Sequence, residues 1–433
     1  MKVYLRTIGC RLNQAEIDAM ARQFRLQGHE IVEQAEHADH IVVNTCAVTQ
    51  DAVRGGRQLI RQVNRANPQA EVSVTGCYAQ ISPDEIRVLP GVTRVIDNMG
   101  KDTLVEQITG QPPEPFDHEP IIRAAPNAVS RTRAFVKVQD GCDNACTFCV
   151  TTVARGAGRS RPMQDVVNEV RLLLAMGYRE IVLTGVHLGS YGHDLGDPRG
   201  LIHLTRALLS DTDVPRLRLS SLEPWDLTDD FFGLWQDARL CPHLHLPLQS
   251  GCDATLKRML RKTNQAQFSA LMRAARERIN DPCITTDVIV GFPGETDEEF
   301  VISERFIQEM DFAGLHVFRY SKRPGTAAAR MRAHVHEEVK KDRSARLIAL
   351  SDTLEQRYAE RQCSKTAPVL WEQVAGANEK GFINVGYTHH YMRVTCIHPR
   401  PLTNLITPAR LDTYDIEKHQ LHVTPELDTV EIL

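Results

Sequence analysis

The sequence predicts a mixed α/β chain in three parts: an N-terminal parallel α/β sheet domain over residues 1–110, a partial (β/α)6 barrel over 134–362 and a small antiparallel β-barrel over 364–433. Three observations predict it. Short apolar runs alternate with helical patterns up to about Gly110, the alternation that builds a parallel sheet. It resumes at residue 134 and yields six strand–helix units, too few for a closed eightfold barrel. After residue 364 the helical period disappears and short strand-like runs follow one another.

In the first part, VYLRTIG (3–9) reads as a strand, and Ile17, Met20 and Phe24 recur at helical spacing until Gly28 stops the pattern. HIVVNT (40–45) is a buried strand, residues 50–66 a helix and VSVTG (72–76) a third strand. Ser82, Pro83 and Glu85 predict an N-cap, a proline at the first helical position and a capping box. RVID (94–97) predicts a fourth strand. Residues 111–133, with five prolines and little periodicity, read as a linker.

The second part offers FVKVQ (135–139), EIVLTG (180–185), RLRLSS (216–221), HLHL (243–246), TTDVIVG (285–291) and GLHVFRY (314–320) as strands. Between the first two, Val166, Val170, Leu173 and Leu174 share one helical face. In such a barrel the site belongs at the C-terminal ends of the strands. VLWEQV, GFINVGY, MRVTCI and HQLHVT supply the strands of the third part.

At 42% hydrophobic and 24% charged residues, the 433-residue chain reads as an ordinary folded protein. No run of eighteen apolar residues predicts a membrane span. MKVYLRTIGC has strand character rather than that of a secretory leader, and the expected location is the cytoplasm. The net charge of −4 excludes a coat of positive charge and leaves room for a local basic patch. Eleven cysteines, an odd number in a large chain, favour metal or catalytic thiols over a disulfide framework.

Cys142, Cys146 and Cys149 in GCDNACTFC follow directly on the first barrel strand. A structural zinc site wants four closed ligands, and no fourth Cys or His lies nearby in sequence. Three thiolates on a cubane iron–sulfur cluster leave one iron open to a substrate. A zinc knuckle finished by a distant histidine is the competing reading. Cys10, Cys46 and Cys77 are far apart, yet each follows a predicted strand, as TIGC, VNTC and VTGC. Parallel strands bring their C-terminal ends to one edge, where ligands bind, so these three thiols can meet around a second cluster. Buried strand-end cysteines are the alternative. Cys241, Cys252, Cys283, Cys363 and Cys396 show no such organisation and are assigned to packing.

TIGCRLNQAE, NTCAVT, TGCYAQ, GCDNACTFC, RGAGRSRP, LTGVHLGSYG, HLPLQSG, VGFPGET and YSKRPGTAA occur along essentially the whole chain. In that order they resemble the methylthiotransferases of the radical S-adenosylmethionine (SAM) superfamily, whose three parts are an N-terminal α/β domain, a radical SAM barrel and a TRAM β-barrel. RGAGRSRP and LTGVHLGSYG are most similar to the branch that converts N6-threonylcarbamoyladenosine at position 37 of tRNA to its 2-methylthio derivative. The resemblance gives Cys142, Cys146 and Cys149 the catalytic SAM cluster, and Cys10, Cys46 and Cys77 an auxiliary [4Fe-4S] cluster that holds the sulfur to be inserted. It implies two [4Fe-4S] clusters, SAM, a tRNA substrate, an electron donor and a sulfur donor. The chain is expected to work as a monomer.

Around SAM, the candidates are Gly185, Gly291 and Gly294 for close backbone approach, Glu223 for the ribose hydroxyls, and Gln249 and Ser250 for polar contacts. His187 and His245, at strand ends, read as hydrogen-bonded structural histidines. For RNA phosphates the candidates are Arg54, Arg57, Arg61 and Arg65 on one helix face, Arg155, Arg159 and Arg161 after the cysteine loop, and the run Arg319, Lys322, Arg323, Arg330 and Arg332. Solvated helix and loop faces are the plain alternative. Residues 364–433 carry six Lys and Arg against eight Asp and Glu, and His390 stands in GYTHHYMRV where the family often has Asn. A protein substrate, a ribosomal aspartate, is therefore the alternative to tRNA, and a non-catalytic iron–sulfur carrier or RNA-binding module is the second.

Overall fold

Five parallel strands build the N-terminal sheet of the computed structural model, which describes residues 1–112 and 132–426. They are β1 (Lys2–Thr7), β2 (Glu30–Ile31), β3 (His40–Thr45), β4 (Glu71–Gly76) and β5 (Val92–Val95), in the order β2-β1-β3-β4-β5. β3 is buried along its whole length, as expected of a central strand covered on both faces. Helices α1 (Arg11–Leu26), α2 (Gln50–Ala66), α3 (Cys77–Ile81), α4 (Pro83–Arg87) and α5 (Leu104–Thr109) connect or flank the strands. Ile17, Met20 and Phe24 bury the inner face of α1, and Gly28 ends it at φ +78°. The expected capping box does not form: the Ser82 side chain makes no cap bond. Glu85 is drawn away by the Tyr78 hydroxyl, which donates to it at 2.8 Å, and by Arg57.

Of the expected linker, residues 113–131 lie outside the described residues, and Arg133 already belongs to the next strand. The barrel strands are β6 (Arg133–Lys137), β9 (Glu180–Thr184), β10 (Arg216–Leu219), β11 (His243–His245), β12 (Cys283–Val290) and β13 (Gly314–Arg319). A short antiparallel ribbon, β7 (Gln139–Asp140) with β8 (Arg159–Ser160), frames the first cysteine loop. The six barrel strands run parallel as β10-β9-β6 and β11-β12-β13, joined by the bridges Leu217–Leu240 and Ser221–His245 into one open, curved sheet. Its helices are α6 (Thr151–Arg155), α7 (Met163–Ala175), α8 (Gly200–Asp211), α9 (Asp229–Phe232), α10 (Asp253–Arg258), α11 (Gln265–Arg278), α12 (Asp297–Met310) and α13 (Glu337–Gln362). One apolar core, including Val166, Val170, Leu183, Leu219, Phe268 and Phe312, fills the space between strands and helices.

The last part is a closed barrel of β14 (Thr366–Asn378), β15 (Gly381–Thr388), β16 (Arg393–His398), β17 (Ile406–Asp415) and β18 (Gln420–Pro425). It is not purely antiparallel, because β18 pairs parallel to β16 to close the ring. β17 is absent from the sequence reading because Pro408 interrupts its pattern. In the sheet Pro408 lies opposite Pro368, so neither missing N–H leaves an acceptor of an ordinary pair unserved. The β15–β16 turn plugs the N-terminal end of the parallel barrel: Arg216 donates to the Thr388 carbonyl at 2.9 Å, and Arg218 to that of His389 at 3.0 Å.

Candidate metal centre

β1, β3 and β4 are adjacent; Cys46 and Cys77 follow directly on the C-terminal ends of β3 and β4, and Cys10 follows that of β1 after Ile8 and Gly9. Two glycines permit the close approach. Gly9 sits at φ +134°, where a Cβ would come within 2.7 Å of the Cys46 Cβ. Gly76, at φ +100°, would place a Cβ 2.2 Å from the Thr45 carbonyl oxygen. Cys10 occupies the N-cap of α1 and Cys77 the first position of α3. The Val48 N–H donates to the Cys46 sulfur at 3.4 Å and the Asn98 amide to the Cys77 sulfur at 3.8 Å. Burial pushes the Cys46 thiol up to about 11, and the neighbouring Cys10 and Cys77 add to the effect.

Cys142, Cys146 and Cys149 occupy the loop between β7 and α6. Gly141 turns the chain into it at φ +71°, where any Cβ would strike the Ala157 carbonyl oxygen at 1.9 Å. Thr147 pins the loop to the C-terminus of α10 through the carbonyls of Arg258 and Met259. The Asn144 N–H donates to the Cys142 sulfur and that of Thr151 to the Cys149 sulfur, both at 3.4 Å. The motif repeats that of Cys46: an N–H two residues on faces the sulfur, an arrangement that tunes metal-bound thiolates. Burial raises the Cys146 and Cys149 thiols as well.

All six cysteines line a single cavity of about 320 Å³ between the C-terminal edge of the N-terminal sheet and the mouth of the curved sheet. Among the described residues, neither cysteine triad has all three of its sulfurs within 4.8 Å of one another. A tetrahedral zinc ion needs sulfurs about 3.8 Å apart, given a Zn–S bond near 2.3 Å. The triads are therefore too wide for one ion and suit a cubane, whose corners hold the thiolates apart. Each triad would supply three of a cubane's four corners. Further polar groups face the same space: Glu223, Arg261, Gln249, Asn144 and Asp287.

Glu223 is not a solvated loop carboxylate. Arg261, buried, donates to both its oxygens at 3.1 and 2.6 Å, approaches the Cys146 sulfur at 3.7 Å and stacks on Trp225. Gly185 lines the cavity with Gln139 against it, and Gln249 lines it from a left-handed backbone at φ +73°. Ser250, Gly291 and Gly294 do not line it. Ser250 is buried and accepts from the Cys252 N–H; Gly291 turns beneath Lys340, and Gly294 beside Arg258. His187 is held by Asp226 at 2.7 Å and Asn144 at 3.3 Å and also interacts with the Cys142 sulfur; His245 is held by Asp287 and Thr285, and His316 meets the same Asp287 carboxylate. Cys241, Cys252, Cys283 and Cys396 are buried and Cys363 half-buried, apart from both triads.

The arginines after the cysteine loop are engaged by carboxylates to different degrees. Arg155 is 2% exposed and spends its guanidinium on Glu16 and Asp140, at 2.8 and 2.9 Å, and on Asn13. Arg161 pairs with Glu169, which also holds Arg22; Arg159 alone stays at the rim. Arg54 and Arg61 are exposed and Arg57 half-exposed on α2. Sequence reasoning missed Arg261, Asn13, Asn144 and Asp287, whose partners lie far along the chain.

Residues 2–97 match the uncharacterized protein family UPF0004, and residues 136–307 the radical SAM superfamily. Over 408 residues, 90% of this chain and 89% of the relative, the sequence is 40% identical to threonylcarbamoyladenosine tRNA methylthiotransferase MtaB of Bacillus subtilis. It is 32% identical to a tRNA-2-methylthio-N(6)-dimethylallyladenosine synthase of Acetivibrio thermocellus over 88% of this chain and 83% of that one. The fold is similar to that of the radical SAM methyltransferase TsrM of Kitasatospora setae, with a TM-score of 0.56 at 16% identity, over 76% of each chain.

Proposed function

The chain belongs to the radical SAM methylthiotransferases, and from that premise we propose that it converts N6-threonylcarbamoyladenosine at position 37 of tRNA to its 2-methylthio derivative. The observation that carries the reading is the single cavity into which two three-cysteine sets open from two different sheets. A reaction that inserts a sulfur at an unactivated adenine carbon needs a radical source and a sulfur source within one enclosed space. When bound, the two [4Fe-4S] clusters and SAM supply reductive cleavage of SAM, methyl transfer and the sulfur.

The protein's own part is to hold and orient. Cys142, Cys146 and Cys149 would hold the cluster that serves SAM, and Cys10, Cys46 and Cys77 would hold the other. Glu223, held in the cavity wall by Arg261, would present its carboxylate to the ribose hydroxyls, and Gly185, in the same wall, would let the nucleoside approach. Gln249 offers an amide at the opposite wall. Leu12, Phe148 and Val186 close the cavity with apolar surface, which limits quenching by water. The relatives of both branches named above act on tRNA adenosines, and identity is higher to the threonylcarbamoyl branch. Electron and sulfur donors are separate partners, and the enzyme works as a cytoplasmic monomer. Among the described residues no helix is long and apolar enough to cross a membrane.

The test is anaerobic reconstitution with iron, sulfide, SAM and a reductant, followed by incubation with tRNA bearing threonylcarbamoyladenosine. Formation of 5′-deoxyadenosine and of the 2-methylthio nucleoside, read by mass spectrometry, is expected. SAM cleavage without any methylthiolated tRNA would reject the substrate, and no SAM cleavage would reject the chemistry.

A further inference from the structure

Seven arginines are buried among the described residues, and six have a carboxylate. Arg22 pairs with Glu169, Arg155 with Glu16, Arg216 and Arg218 with Glu180, Arg261 with Glu223 and Arg343 with Glu295. Arg323 is the exception. It is 7% exposed, its Nε is sealed without a hydrogen-bond partner, and its guanidinium has no ion pair. A buried cation without an ion pair is costly; burial lowers the pKa of Arg323, and the nearby Cys46 sulfur acts in the opposite direction. Such a group is tolerated where a ligand supplies the missing anion.

Arg323 lines a second cavity, of about 620 Å³, adjacent to the cysteine cavity through Ala47. Arg54 and Arg57 of α2 and Lys322 line it too, and among the described residues Glu85 is the one carboxylate in its wall. Glu85 is already engaged by the Tyr78 hydroxyl and by Arg57. The N-terminus of α2 opens on this space through Gln50, behind its Thr49 cap, and adds its positive pole. The cations do not stop at the cavity. Arg54, Arg57, Arg61 and Arg65 climb α2 in steps of three and four residues, or about 4.5–6 Å each at 1.5 Å per residue. A single carboxylate needs no such ladder; a nucleic-acid strand with a phosphate at every nucleotide does.

We propose that this cavity, between α2 and the segment after β13, is a backbone-phosphate site for the RNA strand that carries the target adenosine, with Arg323 as its buried anchor. The proposal rests on the tRNA methylthiotransferase reading. It places the grip on the strand beside Cys46 rather than on the C-terminal barrel, which carries eight acidic against six basic residues over 364–433.

The experiment measures binding of an anticodon stem-loop RNA to the reconstituted holoenzyme by fluorescence anisotropy across a salt series. Arg323→Gln should weaken binding about tenfold and flatten the logarithmic salt slope by about one. Arg323→Lys should restore part of both. The RNA is supplied with adenosine and with threonylcarbamoyladenosine at the target position. Equal losses on the two support a phosphate site. A loss confined to the second assigns Arg323 to the carboxylate of the modification and overturns the proposal, as does an unchanged salt slope. Should Arg323→Gln fail to fold, the exposed pair Arg54→Gln/Lys322→Gln reads the same cavity, and an unchanged slope there also sinks it. Formation of 5′-deoxyadenosine by the wild type without RNA is scored separately; its absence brings down the underlying reading and leaves the binding result standing.

Discussion

Gly76 shows how much a single backbone position decides. At φ +100° it turns β4 directly into Cys77, and a methyl group there would meet the Thr45 oxygen at 2.2 Å. Gly76→Ala must therefore push the start of α3 away from Cys46. The expected result is loss of the auxiliary cluster alone, with iron falling from about eight to about four per chain, while 5′-deoxyadenosine still forms. Iron analysis beside a SAM-cleavage assay checks it. At this scale the six cysteines were legible because a strand followed by Cys is a local pattern, and parallel topology does the rest. Arg261 was not, because its meaning lies in Glu223, 38 residues away. Ser250, Gly291 and Gly294, expected around SAM, do not line the cysteine cavity, and a turn glycine and a ligand-facing glycine look alike in sequence until the neighbour is known, Lys340 in the case of Gly291.

The β15–β16 turn is the element that finishes the parallel barrel. It meets Arg216 and Arg218, whose charges are answered by Glu180 at 2.8 Å each, fully buried at the start of β9. Burial alone would raise Glu180, but Arg218 and Arg216 hold it down at about 2, below its ordinary 4.5. A carboxyl depressed on folding stabilises the native state above its unfolded pKa and loses that contribution as pH falls through the folded one. Glu180 thus supports the fold fully above pH 4.5 and progressively less toward pH 2. Glu180→Gln should cost about 3–5 kcal/mol at neutral pH, since it strands two buried guanidinium groups, and should flatten the pH dependence of unfolding in that window. Chemical denaturation at a series of pH values reads both. An undiminished pH slope would move the acid sensitivity elsewhere.

Elements long enough to show a period were legible, and those set by one residue were not. The helix read over 50–66 and the strand over 40–45 match α2 and β3 to the residue, because seventeen and six residues of consistent pattern leave little choice. β2 has two residues and no period to detect. The Ser82 capping box failed because α4 runs only five residues and Glu85 finds stronger partners in Tyr78 and Arg57. The capping box that does form, Thr296 with Glu299, opens the fourteen-residue α12. A cap signal therefore counts for more when a long apolar face follows it.

At the scale of the whole molecule, the two cysteine triads are useful only if the sheets that carry them keep one register. Glu16 of α1 secures that register. Its buried carboxylate receives Arg155 from the helix behind the Cys149 loop and Lys101, both at 2.8 Å, with Lys137 of β6 at 3.8 Å. These cations outweigh burial and hold Glu16 well below the usual carboxylate range. Asn13, three residues after Cys10, donates to the Thr45 carbonyl before Cys46 and accepts from Arg155, and Arg155 also holds Asp140, two residues before Cys142, so the hub reaches the segments that carry both triads. Glu16→Gln leaves Arg155 and Lys101 short of a counter-charge and should cost about 3–5 kcal/mol, read as a lower anaerobic unfolding temperature. Its functional signature is sharper. On the proposed assignment, SAM cleavage would need the Cys142, Cys146 and Cys149 loop alone, whereas the methylthiolated product would need both triads facing one nucleoside. The variant should therefore keep most of its 5′-deoxyadenosine formation while the product formed per SAM cleaved falls by about tenfold or more, as expected when reacting groups lose alignment. A parallel fall in both would show that Glu16 supports only the fold.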